Sequence, residues 1–167
     1  MKYTSAAANK LLKKLAQEKE YCMDKETNAK TYVAAVDEEP VVPEFDYEKN
    51  AAEIERLDEQ IVKIKHAISL NNALACIDVN GKTMSVDEIL VRMAQLNRRL
   101  VDLDEMRKAL PKTRVNSMGP RTLKPEYTYI NYDIEKVKAD YERYSDEVTQ
   151  MQLALDKYNQ TAEFEIE

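Results

Sequence analysis

Residues 134 to 158 carry Ile134, Val137, Tyr141, Tyr144, Val148, Met151, Leu155 and Tyr158, apolar or aromatic side chains that step three, four, three, four along the chain. That spacing describes a helix with one stripe facing other helices. Knobs at such positions fill holes on a neighbour and perform no chemistry, so the stripe is read as an association seam.

The composition agrees. Of the 167 residues 34% are charged and 44% hydrophobic, the glycines are Gly81 and Gly119 alone, and there is no tryptophan. Chains so poor in glycine and rich in Glu, Lys, Leu and Ala form long helices. The length suits a single helical domain over 1–167. Because a few long helices spread apolar surface thinly, burial is expected to be completed by association, in a homo-oligomer or with a protein partner.

A net charge of −6 and a pI near 5.1 argue against a general nucleic-acid binder. Cys22 and Cys76 lie far apart and form no CxxC or Cys/His cluster, which predicts free buried thiols in a reducing cytoplasm. The start MKYTSAAANKLLKK lacks a signal-peptide core, and no segment approaches the roughly 18 apolar residues of a spanning helix. A soluble, cytoplasmic chain is expected.

The first helix is predicted over about 4–37, from Ala8, Leu11, Leu15, Cys22, Ala29, Tyr32 and Val36, with Glu18 and Lys25 interrupting the stripe. Pro40 and Pro43 stop it. Asp46 caps a second helix, 46–74, whose stripe is Ile54, Leu57, Ile61, Ile64 and Ile68. Asn71 then either fixes register at a seam position or, with Asn72, ends the helix. Asn80-Gly81 between β-prone flanks predicts a hairpin over 77–84. Ser85 and Glu88 form a capping box that opens a third helix, 85–110. Its stripe of Ile89, Met93, Leu96, Leu100, Leu103 and Leu110 is widened by Leu90, Val101 and Met106, a band broad enough for burial against more than one helix.

Pro111 ends that helix. Residues 106 to 125 then hold Arg107, Lys108, Lys112, Arg114, Arg121 and Lys124 without one acidic residue, and Gly119-Pro120 and Pro125 make 111–125 a basic loop. These six are the candidate anion or partner contacts: a neighbouring subunit's acidic face first, a nucleic acid or an anionic membrane surface as alternatives. Two β-like runs, 127–132 and 162–166, flank a last helix over 133–159, so pairing of the two, with each other or across a subunit boundary, requires a geometry that brings opposite ends together, as domain swapping or a partner chain would.

No catalytic, cofactor-binding or metal-ligating set emerges. The lone histidine, His66, has no Glu-x-x-His partner and no GxSxG nucleophile to serve, and two isolated glycines build no phosphate loop. The chain is read as non-enzymatic and without cofactor, with His66 on a solvated face. Tyr141, Tyr144 and Tyr158 are read as core aromatics whose hydroxyls reach a rim.

Ile64-Lys65-His66-Ala67-Ile68-Ser69-Leu70-Asn71-Asn72, the turn Val79-Asn80-Gly81-Lys82-Thr83-Met84, and the ending Asn159-Gln160-Thr161-Ala162-Glu163-Phe164-Glu165-Ile166 resemble the septicolysin-like family of small bacterial helical proteins, over about residues 46 to 167. The resemblance implies a helical fold and carries no catalytic residues over; the family name implies a membrane-acting cytolysin as an alternative function. The chain departs from the family at Val91-Arg92, where no Asp follows, and in its longer first helix and proline-rich connection. The expectation is an all-α protein of four long antiparallel heptad-patterned helices, a bundle or coiled coil, with a small hairpin and short β stretches.

Overall fold

The Thr4 hydroxyl accepts from the Ala7 N–H at 3.2 Å and so caps a helix that begins at the next residue. The computed structural model describes residues 1–115 and 125–166. It is mainly helical with small antiparallel strand pairs, in the order β1 (Lys2–Thr4), α1 (Ser5–Ala29), α2 (Tyr47–Leu74), β2 (Cys76–Val79), β3 (Lys82–Ser85), α3 (Val86–Lys108), β4 (Lys112–Arg114), β5 (Tyr127–Tyr129), α4 (Ile134–Thr161) and β6 (Glu163–Glu165). The chain forms two compact units, one of Met1–Ile77 with Leu155–Glu167, the other of Asp78–Ala154.

In the first unit α1 and α2 pack antiparallel. Ala8, Leu15, Leu57 and Ile64 are its buried centre, flanked by Leu11, Ile61, Ile68 and Phe164. Lys19 reaches Asp58 at 2.7 Å, and the buried Asn50 donates from Nδ2 to the Cys22 carbonyl at 3.1 Å and to Glu26 Oε2 at 3.4 Å. Strands β1 and β6 pair antiparallel, Tyr3 opposite Phe164, extended by the Ile166 N–H donating to the Met1 carbonyl at 3.0 Å.

These contacts set where α1 stops. It ends at Ala29, short of the expected 37, because α2 begins at the level of Cys22 and Glu26 and offers nothing further to pack on. Val33 and Val36 are accordingly fully exposed. The runs at 127–132 and 162–166 do not pair with each other. β5 pairs with β4, Lys112 opposite Tyr129, and β6 with β1. Each run found a nearer partner among residues assigned from sequence to a loop or to the leading edge of a helix. Both thiols are free, but neither is buried: Cys22 is half-buried and Cys76 exposed.

In the second unit Asn80 and Gly81 both take positive φ, 53° and 81°, as a two-residue hairpin turn between β2 and β3 requires, and the Gly81 N–H donates to Asp78 Oδ1 at 3.1 Å. The capping box is complete: the Ser85 N–H donates to Glu88 and the Glu88 N–H to Ser85 Oγ, at 2.7 and 3.1 Å. Val86, Ile89, Leu96 and Leu103 bury one side of α3. Helix α4 runs alongside it in the opposite direction, tied by Arg92 to Glu147 at 2.9 Å and by the Tyr132 hydroxyl donating to the Met106 carbonyl at 2.9 Å.

Candidate functional site

The α4 seam faces the chain's own interior. Val137, Met151 and Leu155 are buried and Ile134, Tyr141, Tyr144, Val148 and Tyr158 half-buried. The tyrosine hydroxyls and rings are engaged as a packed rim would have them. Tyr158 donates to Asn71 Oδ1 at 3.0 Å, the Arg107 guanidinium lies 3.9 Å over the Tyr141 ring, and that of Arg143 lies 4.3 Å over Tyr144. Three positions of the stripe are thus buried and five partly covered among the described residues.

The broad band on α3 is covered on one side only. Ile89, Leu96 and Leu103 are buried, whereas Leu90 is 45% and Val101 62% exposed. Ala94 and Asn97, exposed as well, continue Leu90 and Val101 at steps of four, three and four. This second row has the spacing of a helix-packing stripe and, among the described residues, no helix upon it. The helix that carries it is acidic in its first turn (Asp87, Glu88) and basic in its last (Arg107, Lys108), a polarity that opposes the helix dipole favourably at both ends.

Of the six basic candidates, four are placed. Asp104 binds both Arg107 and Lys108, whose hydrogen bonds, that of Lys108 first, hold its carboxyl below the usual carboxylate range. The Lys112 ammonium lies 4.0 Å over the Tyr127 ring and 5.5 Å over Tyr129. Arg114, across β4 from Tyr127, is exposed with no carboxylate partner among the described residues. Arg121 and Lys124 lie outside the described residues. The placed part is thus the last turn of α3 and the strand β4, and three of its four charges are committed to local partners.

A groove that the sequence reading missed lies in the first unit, between the C-terminal half of α2 and β6. It encloses about 570 Å³. Its apolar wall is Ala67, Leu70, Leu74 and Phe164; Lys63, His66, Asn71 and Glu165 supply its polar groups. Leu70 and Leu74 are 52% and 71% exposed, off the Ile64–Ile68 stripe, and that displacement of two leucines to the outer face is the signal in the sequence. Asn71 Oδ1 is occupied by Tyr158, but its Nδ2 is buried with no acceptor. An amide donor left so costs about 1–3 kcal/mol.

No group of three or more His, Cys, Asp or Glu side chains gathers in a metal-holding arrangement among the described residues. No helix among them is long and apolar enough to cross a membrane.

No family model matches the chain, and no curated protein matches it. Among solved structures it is similar to that of a functionally unknown conserved protein from Corynebacterium diphtheriae, at 13% identity and a TM-score of 0.65, over 99% of this chain and 100% of the other. At that identity the likeness speaks of fold alone.

Proposed function

We propose that the protein is a non-enzymatic interaction module that self-associates through helix-to-helix packing, with a second copy of the chain seated on the outer face of α3. The observation that carries this reading is the uncovered row Leu90, Ala94, Asn97 and Val101 beside a fully packed row on the same helix. A band wide enough for two neighbours has only one among the described residues.

Charge selects the occupant and its direction. Antiparallel packing of two copies about a twofold between Gln95 and Leu96 sets Leu90 against Val101 and Ala94 against Asn97. It also sets Asp87 and Glu88 of each α3 opposite Asp104 and Leu103 of the other, within about one turn of Arg107 and Lys108, whose two positive charges outweigh the Asp104 carboxylate between them. A parallel pair would set like charges together.

The test is absolute mass by light scattering on a sizing column at moderate salt. The chain of 19.3 kDa should elute at about twice that mass. Leu90→Glu and Val101→Glu, both on exposed positions, should each return it to monomer with the helical circular dichroism unchanged. A wild-type monomer, or a dimer indifferent to both changes, would refute the reading. The membrane action implied by the septicolysin-like resemblance, and nucleic-acid binding by 107–124, would instead show as vesicle leakage or 260 nm absorbance that Arg114→Glu abolishes.

A further inference from the structure

The geometry points to the groove between α2 and β6 as a binding site for an amphipathic carboxylate: an apolar acyl chain ending in a carboxylate, with a carbonyl between them. The apolar part would lie along Leu70, Leu74 and Phe164, whose exposed surface is otherwise given to water. Three residues that carry donors, Lys63, His66 and Asn71, line the groove beside one carboxylate, Glu165. That excess of donors selects an acceptor-rich ligand.

Spacing orders the headgroup. Lys63 and His66 are neighbours one turn apart on α2, so a single carboxylate can meet both. Asn71 stands five residues beyond His66, about 7.5 Å along the axis, which suits a separate acceptor. The Asn71 amide is also the group that most lacks one: its oxygen is held by Tyr158, and its buried nitrogen donates to nothing. For a ligand carbonyl to supply the missing acceptor, the Asn71 side chain has to turn its buried Nδ2 out into the groove. The site lies in a different unit from α3, so it stands or falls apart from the association reading.

The probe is N-dodecanoylglycine, kept below its micelle-forming concentration and titrated into the isotopically labelled full chain. Saturable shifts confined to the amides of 63–74 and 163–166, with one-to-one stoichiometry by calorimetry, are expected. Lys63→Glu should weaken binding about ten-fold, the equivalent of one lost charge contact, and Leu70→Glu by at least as much. Dodecanamide, which keeps the chain and loses the carboxylate, should bind wild type and Lys63→Glu alike. Shifts scattered over other exposed apolar positions such as Leu90 and Val101, or affinities unchanged in both variants, would overturn the proposal. The shift map of the unaltered protein decides the matter even if a variant fails to fold.

Discussion

Asparagine stands at both ends of one heptad row on α2, Asn50–Leu57–Ile64–Asn71, and the two make different use of the position. Asn50 is buried and bonded to the end of α1, so it fixes which turn of α1 meets the start of α2. Asn71 is bonded to Tyr158 by its oxygen only. For Asn71 the apolar stripe that runs up to it leaves two readings open, a seam position or a helix end, and α2 continues past it to Leu74. Asn50 was not legible, because its stripe starts with it and a polar residue without an apolar one before it reads as surface. Tyr158→Phe should therefore cost about 1–3 kcal/mol by chemical denaturation, since the Asn71 amide is then left with neither group paired. Asn71→Leu in the same chain should recover most of that loss by removing the orphaned groups. A double variant no better than the sum of its parts would mean that the two side chains do not share this bond in solution.

Helix ends and strand pairs were legible in unequal measure. Asp46, Asn80-Gly81 and the Ser85/Glu88 box were readable because each is a local device whose partners lie within four residues. The end of α1 and the partners of β5 and β6 were not, because they depend on contacts made over long separations: Cys22 with Asn50, Tyr3 with Phe164. A residue pattern alone continues a helix as long as its period lasts; Tyr32 and Val36 kept the period after the packing surface had ended. The local devices carry a pH signature. The Ser85 N–H above all holds the Glu88 carboxyl below its ordinary range, the Lys49 N–H does so for Asp46, and Arg56 does so for Glu53. A carboxyl more acidic in the folded chain than in the unfolded one contributes fully above its unfolded pKa, about 4, and its contribution fades as the pH falls through the folded value. The thermal midpoint should fall between about pH 5 and pH 3, and Glu88→Gln should flatten part of that fall while lowering the midpoint at neutral pH. An unchanged pH slope in the variant would remove Glu88 from the account.

At the scale of the molecule, 167 residues divided between two compact units leave each with a small core, and both units keep apolar rows on their surface. The α4 stripe, the strongest signal in the sequence, is satisfied at home, while the row that stays bare lies in the broader band of α3. Periodicity marks which residues pack and is silent on whether the partner belongs to the same chain. Charge adds the missing direction. If two copies meet antiparallel along α3, Asp87 and Lys108, exposed at its two ends, face each other across the twofold within about one helical turn. Asp87→Lys alone should weaken the dimer, and Lys108→Glu alone should weaken it too, each with greater effect at low salt, where screening is least. Mixing the two variants should restore association, because the reversed lysine of one then meets the reversed glutamate of the other while the unaltered Lys108 of the first meets the unaltered Asp87 of the second, and the restored species should contain one copy of each, distinguishable by mass. A chain carrying both reversals should pair with itself. Weakening by each single reversal together with restoration by mixing would fix the antiparallel direction, which the apolar row cannot, because in a parallel pair each single reversal leaves like charges facing like and the mixture would bind more tightly than the wild type; equal failure of the mixture and the single variants would mean that the two ends never meet, and the second helix on α3 would then have to come from another protein.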